Sequence, residues 1–323
     1  MSNSLRAPSC ALPPHVAAWR LLVDRSIAAW NNLSTDKQPL PVKLPGSILR
    51  QCRTLDGFFA ERRGPMMFWF FQRRNAFMSQ NRMKKWSRDE LDDYVLLPAL
   101  PGFVMRRDCF FVSHFWRTQD DPDPDGQYLR LHQAELESQT WSYIWVDWTC
   151  MPQSPRSLPE TAYFDRCLRT MSGIIRNCGF IYFYPPFEPR LWILYEITEF
   201  VLTCDGPIGM TDDAKPFLQH VDEMIETGVQ ATLVKYSYRC SDVRDKQHLT
   251  SWMELLVLLR RLRIDVGVIR SIMDHITWFT VTHTQRYPAM ELKRFEGTLV
   301  VNGEMHTFTP FPRIGQCDRV IQE

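Results

Sequence analysis

The chain has 323 residues, of which 45% are hydrophobic, 13% aromatic and 23% charged, and its formal net charge is +1. That length suits about two domains of ordinary size, or one domain with large additions. The composition excludes a chain disordered throughout, and no apolar run reaches the length of a membrane-spanning helix.

The near-neutral charge is a cancellation. Residues 1–108 carry 17 Lys/Arg against 9 Asp/Glu, residues 109–204 carry 7 against 12, and the remainder carries 14 against 16. A basic front and an acidic middle either attract each other or face different partners. None of the nine cysteines forms a C-x-x-C pair, the spacing of many zinc and redox sites, so no metal site is expected. Residues 1–14 lack the apolar core of a secretory signal, and the expected setting is reduced and cytoplasmic.

In chain order, Val16, Trp19, Leu22, Ile27 and Trp30 fall near helical spacing and predict a helix over 15–31. Pro39 and Pro45 bound a proline-rich break. Between Arg62 and Arg88 lie eight basic residues and no acidic one, interleaved with Phe68, Trp69, Phe70, Phe71, Phe77 and Trp86. This mixture suits a phosphate-bearing ligand, an anionic lipid surface or RNA. It also suits a packed amphipathic helix with a solvated basic face. Ser87 to Glu90 reads as a helix start with a capping box. Residues 1–107 are therefore expected to be a basic, mainly helical region.

Residues 108–204 change character. Cys109 to His114, Tyr143 to Asp147 and Gly179 to Tyr184 are short apolar runs rich in aromatic and β-branched residues, each followed by polar or turn residues. They read as strands buried on both faces. Helical segments over 126–138 and 162–176 separate them, which is the βαβ pattern of a parallel sheet. Ligands sit beyond the carboxyl ends of such strands. That places Ser113, His114, Trp116 and Arg117 after the first strand at the expected site, and Asp147, Trp148 and Cys150 after the second. Residues 205–323 read as a helical addition. Their apolar stretch over 249–276 precedes a terminal hairpin around Asn302-Gly303.

The central stretch resembles the Toll/interleukin-1 receptor (TIR) domain superfamily, in particular its fungal and microbial heterokaryon-incompatibility (HET) relatives. The resemblance rests on FFVSHFW from Phe110, IWVDWTCMPQ from Ile144, MSGIIRNCGFIYFY from Met171 and RLWILYEI from Arg190, four short matches in family order over about ninety residues. It implies a flavodoxin-like α/β fold, with a parallel sheet core and helical N- and C-terminal additions. In some members of the superfamily a Glu cleaves the glycosidic bond of NAD; others only assemble into signalling scaffolds.

Carried over by position, Glu196 is the implied catalytic carboxylate and Trp192 its neighbour one helical turn away. Ser113, His114 and Arg117 are implied at the pocket mouth, and 150–157 as the loop beside it. Trp116, Trp148 and Trp192 offer stacking surfaces for a nucleotide-like small molecule, with NAD as substrate and no cofactor required. Cleaving a nicotinamide–ribose bond builds oxocarbenium character that a carboxylate stabilises. The leaving group is a cation and needs no general acid.

Other readings of these residues stay open. Glu196 can pair with Arg190, His114 can be a structural histidine or a second catalytic residue, and Asp147 can cap a turn or contact a ligand. Cys150 with His114 as base is a further nucleophile reading. Asp120, Asp121, Asp123 and Asp125, set among Pro122 and Pro124, either bind a metal ion or cap the next helix, and the cap is preferred. The sequence has no G-x-G-x-x-G and no Walker motif. Two other function classes stand beside the NAD-type enzyme. One is a non-catalytic homo-oligomer signalling through the 150–157 loop. The other is a tRNA-dependent transferase of fungal specialised metabolism that docks RNA on the basic segment.

Overall fold

Aromatic and β-branched runs set the strands of the central sheet. In a computed structural model, which describes residues 12–33, 42–60, 66–118, 120–184, 187–204, 212–279 and 282–313, five strands form one mixed sheet. They are β1 (Phe68–Arg73), β2 (Tyr94–Pro98), β3 (Cys109–His114), β4 (Tyr143–Trp145) and β5 (Gly179–Phe183), in the order β2-β1-β4-β3-β5. Strand β3 pairs in parallel with both β4 and β5, with Phe110 opposite Ile144 on one side and Gly179 on the other. Helices follow these strands, Gln127–Glu137 after β3 and Leu158–Thr170 and Ser172–Asn177 after β4, as parallel crossovers require.

The sheet is not wholly parallel. The hairpin β1–β2 joins it antiparallel, through β1 against β4. The described residues of 1–107 carry four α-helices, as the reading of a mainly helical region expects, but residues 68–98 also supply two strands to the same sheet. Phe68, Trp69, Phe70 and Phe71 are buried on both faces of β1, so their rings are core and not an RNA-stacking surface. The helix start read at Ser87 is also absent. Ser87 Oγ accepts from Asp89 N, Glu90 pairs with Lys84, and a short 3-10 turn at Leu91–Asp93 leads into β2. The capping box is instead at Ser157 and Glu160, opening the Leu158–Thr170 helix.

Side chains alternate across the sheet and build two cores. On one face Val112, Ile144, Val146 and Ile181 pack with Tyr128, Leu129 and Leu136 of the Gln127–Glu137 helix. On the other, Cys109, Phe111, Trp145 and Tyr184 belong to a cluster running from Trp19 to Phe311. That cluster is continuous across the boundaries expected near 107 and 204. The Pro14–Asn32 helix is fastened to β2 by Trp30 Nε1, which donates to Leu96 O at 2.8 Å, and by Ser26 Oγ, which accepts from Leu96 N at 2.8 Å.

The C-terminal region is fastened by a buried ion network. Arg176, with no exposed side chain, bonds Glu199, also fully buried, and Asp274 at 2.7 Å. Trp252 Nε1 donates to Glu199 at 2.5 Å. Helices Val243–Arg261 and Val266–Trp278 carry these partners. The expected terminal hairpin is present, with Asn302 and Gly303 at positive φ, but it is half of a four-stranded antiparallel meander. Its strands are β6 (Thr284–Tyr287), β7 (Met290–Lys293), β8 (Thr298–Val301) and β9 (Glu304–Thr307). No described helix is long and apolar enough to cross a membrane.

Candidate functional site

Period-two alternation separates the two residues that end β3. Ser113 points to the face covered by the Leu191–Leu202 helix, whereas His114 points to the Gln127–Glu137 helix. Each then meets a different carboxylate.

On the Ser113 side, Ser113 Oγ donates to Glu196 Oε2, and Tyr184 OH donates to Ser113 Oγ at 2.8 Å. Tyr184 follows β5, packed on Phe115 and Tyr182. Glu196 lies one turn and a half into its helix, among apolar neighbours. Burial, opposed by the Ser113 hydrogen bond and reinforced by the negative charge of Asp147, pushes its carboxyl up to about 8. Glu196 does not pair with Arg190. The Arg190 guanidinium lies near Glu188, donates to Trp116 O at 3.3 Å and sits over the Phe115 ring at 5.3 Å.

On the His114 side, Asp147 is the hub. Its carboxylate is engaged by His114 Nε2 at 3.1 Å, Trp116 Nε1 at 2.8 Å and the Trp148 backbone N at 2.6 Å. Asp147 is the first residue of the four-residue helix Asp147–Cys150, whose N-cap position is Val146. Its side chain keeps 29% exposure while that of His114 keeps 2%. His114 bonds Asp147 through Nε2, and no bond joins it to Glu196. Gln153 holds the same turn, its amide donating to Asp147 O at 2.8 Å.

Two of the three tryptophans expected as stacking surfaces pack on each other. Trp116 and Trp148 meet edge to face at 5.2 Å, and Trp148 lines an open groove of about 490 Å³ with Arg82, Lys84, Lys85 and Asp121. Trp192 is half-buried and edge-on to Tyr195, one turn before Glu196. Arg117 is not brought to either carboxylate; it pairs with Asp125 on the exposed loop.

Three of the four acids of the loop have partners, Asp125 with Arg117 among them. Buried Asp123 accepts from the backbone N of Tyr128 and Leu129 at 3.0 and 2.9 Å, capping the helix as expected, and Asp121 pairs with Arg82. Among the described residues no group of three acids, histidines or cysteines is placed to hold a metal ion.

Cys150 is not placed for nucleophilic work. It is fully buried, its Sγ faces Ile144 O at 3.5 Å, and burial pushes its thiol up to about 11. The described basic residues of the 62–88 segment are similarly engaged. Lys84 pairs with Glu90, Arg88 with Asp56 and Glu160, and Arg74 donates to Gln139 O and Glu137 O. Arg62 and Arg63 lie outside the described residues.

Sequence reasoning missed Tyr184 and Arg190 as the support of the Trp116 turn, whereas Gln153 closes the IWVDWTCMPQ motif quoted above. Tyr184 had a signal: Tyr182 pairs with Ser113 across β3–β5, so Tyr184 shares its face. No family model matches the sequence, and no curated protein or solved structure matches it.

Proposed function

We propose that the chain hydrolyses the N-glycosidic bond of an NAD-type dinucleotide at the carboxyl edge of β3 and β5, in a TIR-like, flavodoxin-like core, with Glu196 as the acting carboxylate. The observation that carries this reading is a carboxyl group in an apolar site, held by Ser113 and Tyr184 and lifted to about 8 beside Asp147. Strongly perturbed carboxyls cluster at sites of chemistry, and this supports the reading.

The apolar surroundings make a cationic substrate the natural partner. A nicotinamide ring carries a positive charge, and its approach favours the ionised Glu196, so binding expels a proton. The carboxylate then opposes the positive charge that develops at the ribose anomeric carbon as its bond to nitrogen breaks. The bonding pair leaves with neutral nicotinamide, water adds to the anomeric carbon, and the water's proton passes to solvent. Ser113 holds one Glu196 oxygen throughout, and Tyr184 fixes the Ser113 rotor. Asp147, braced by His114 and Trp116, sits within electrostatic reach and reinforces the same field.

The test is free nicotinamide, followed by mass, on incubation of the purified chain with NAD. Glu196→Gln keeps the Ser113 contact and removes the charge, and is expected to lower turnover by about 100-fold or more. Equal turnover in a folded Glu196→Gln protein overturns the assignment. Leu158, 81% exposed beside the 150–157 loop, favours a second reading, a self-associating module without turnover. Concentration-dependent assembly lost in Leu158→Ser, with no nicotinamide released, is its signature.

A further inference from the structure

Away from the proposed site, a small cavity of about 30 Å³ lies where the segment after β9 crosses the helical layer. It is lined by Arg169, His248 and Arg294 together with Trp252, Phe295 and Phe311. Three cationic or cation-forming side chains around one small space, with no carboxylate among its lining, is an unbalanced arrangement.

Arg294 is 4% exposed. Its two terminal nitrogens donate to Ile276 O at 3.3 Å and Phe279 O at 2.9 Å, at the end of the Val266–Trp278 helix. Its Nε has no hydrogen-bond partner among the described residues, and neither has His248 Nε2. Burial and the neighbouring Arg169 and Arg294 hold His248 down at about 3, so it is neutral at physiological pH, with one ring N–H to donate. Asp245 lies within electrostatic reach of Arg169, but only cations bear on His248.

Water fills many such spaces, and the room here is about twice the ~10–15 Å³ that one water needs. A water supplies hydrogen bonds but no charge. The helix end under Arg294 supplies about half a negative charge, and Asp245 bears on the half-buried Arg169, which leaves the buried Arg294 without a carboxylate partner in the cavity lining. A buried charge without a partner is costly.

We propose that this cavity binds one small monovalent anion of the halide class, held by Arg294 Nε, His248 Nε2 and the Arg169 guanidinium. The anion joins the Leu158–Thr170 helix of the central layer to the Val243–Arg261 helix, to Arg294 and Phe295 between β7 and β8, and to the segment around Phe311. Its binding therefore stabilises the docking of the C-terminal region.

The test is thermal unfolding of the full chain with bromide replacing gluconate at constant ionic strength. Bromide is expected to raise Tm and then saturate, the folded-to-unfolded ratio growing about 11-fold at ten times Kd. Arg294→Met abolishes the response; should that variant not fold, Arg169→Met weakens it, and the anomalous signal of bromide in crystals falls in this cavity. Equal Tm in bromide and gluconate, an undiminished response in Arg169→Met, or a cavity holding water alone in bromide-grown crystals overturns the proposal.

Discussion

Replacing Glu196 by Gln perturbs stability with a sign that depends on pH. On folding, the carboxyl moves from 4.5 to about 8, so the native state holds its proton more tightly than the unfolded chain does. The corresponding stability is complete below about pH 4.5 and is lost progressively as pH rises to about 8. The full difference corresponds to roughly 5 kcal/mol. Glu196 is half-buried, and its partial contact with water screens this to on the order of 2 kcal/mol. Gln is neutral throughout and keeps a hydrogen-bond acceptor for Ser113. The variant should match the wild type near pH 4.5 and exceed it by on the order of 2 kcal/mol near pH 9. Urea denaturation across that range reads this directly as a change of midpoint at constant slope. Parallel profiles for the two proteins would refute the claim that folding raises the Glu196 carboxyl.

Arg176→Met leaves Glu199 buried and unpaired, and should cost about 3–5 kcal/mol in urea denaturation; Arg176→Met combined with Glu199→Gln should recover most of that loss. A single variant as stable as the wild type would show that the network does not fasten the C-terminal helices. Cys150 in the native protein should resist alkylation near pH 8, judged by peptide mass, because it is buried with its thiol pushed up to about 11. Rapid labelling at Cys150 would mean that the 150–157 loop opens readily.

The strands of the parallel trio were legible because each is a short apolar run followed by polar or turn residues, and β3 occupies its expected bounds of Cys109 to His114. The β1–β2 hairpin was hidden by its flanks. Eight basic residues around Phe68 to Phe71 drew attention to charge, while the run itself, four buried aromatics, had the pattern of a two-sided strand. At Ser87, local capping chemistry lost to the tertiary gain of burying Tyr94, Val95, Leu96 and Leu97 in β2. The placement of the residues of the proposed site was legible in part. Ser113, Asp147 and Glu196 come to one sheet edge, since strand ends and the following helix place them there. That Ser113 and His114 fall on opposite faces follows from strand alternation alone, whereas the bond from Trp116 to Asp147 depends on loop geometry that no spacing encodes. Arg117 was drawn away by Asp125, an acid eight residues on that competes locally with any ligand.

The most direct measurement for the central claim is the rate of nicotinamide release from NAD as a function of pH, for the wild type and Glu196→Gln. If Glu196 acts as a carboxylate, kcat/KM rises with pH through a midpoint near 8, and on the plateau above it Glu196→Gln is reduced about 100-fold or more and lacks the rise. Release that is absent from the folded wild type, or that is equal in the two proteins, contradicts it.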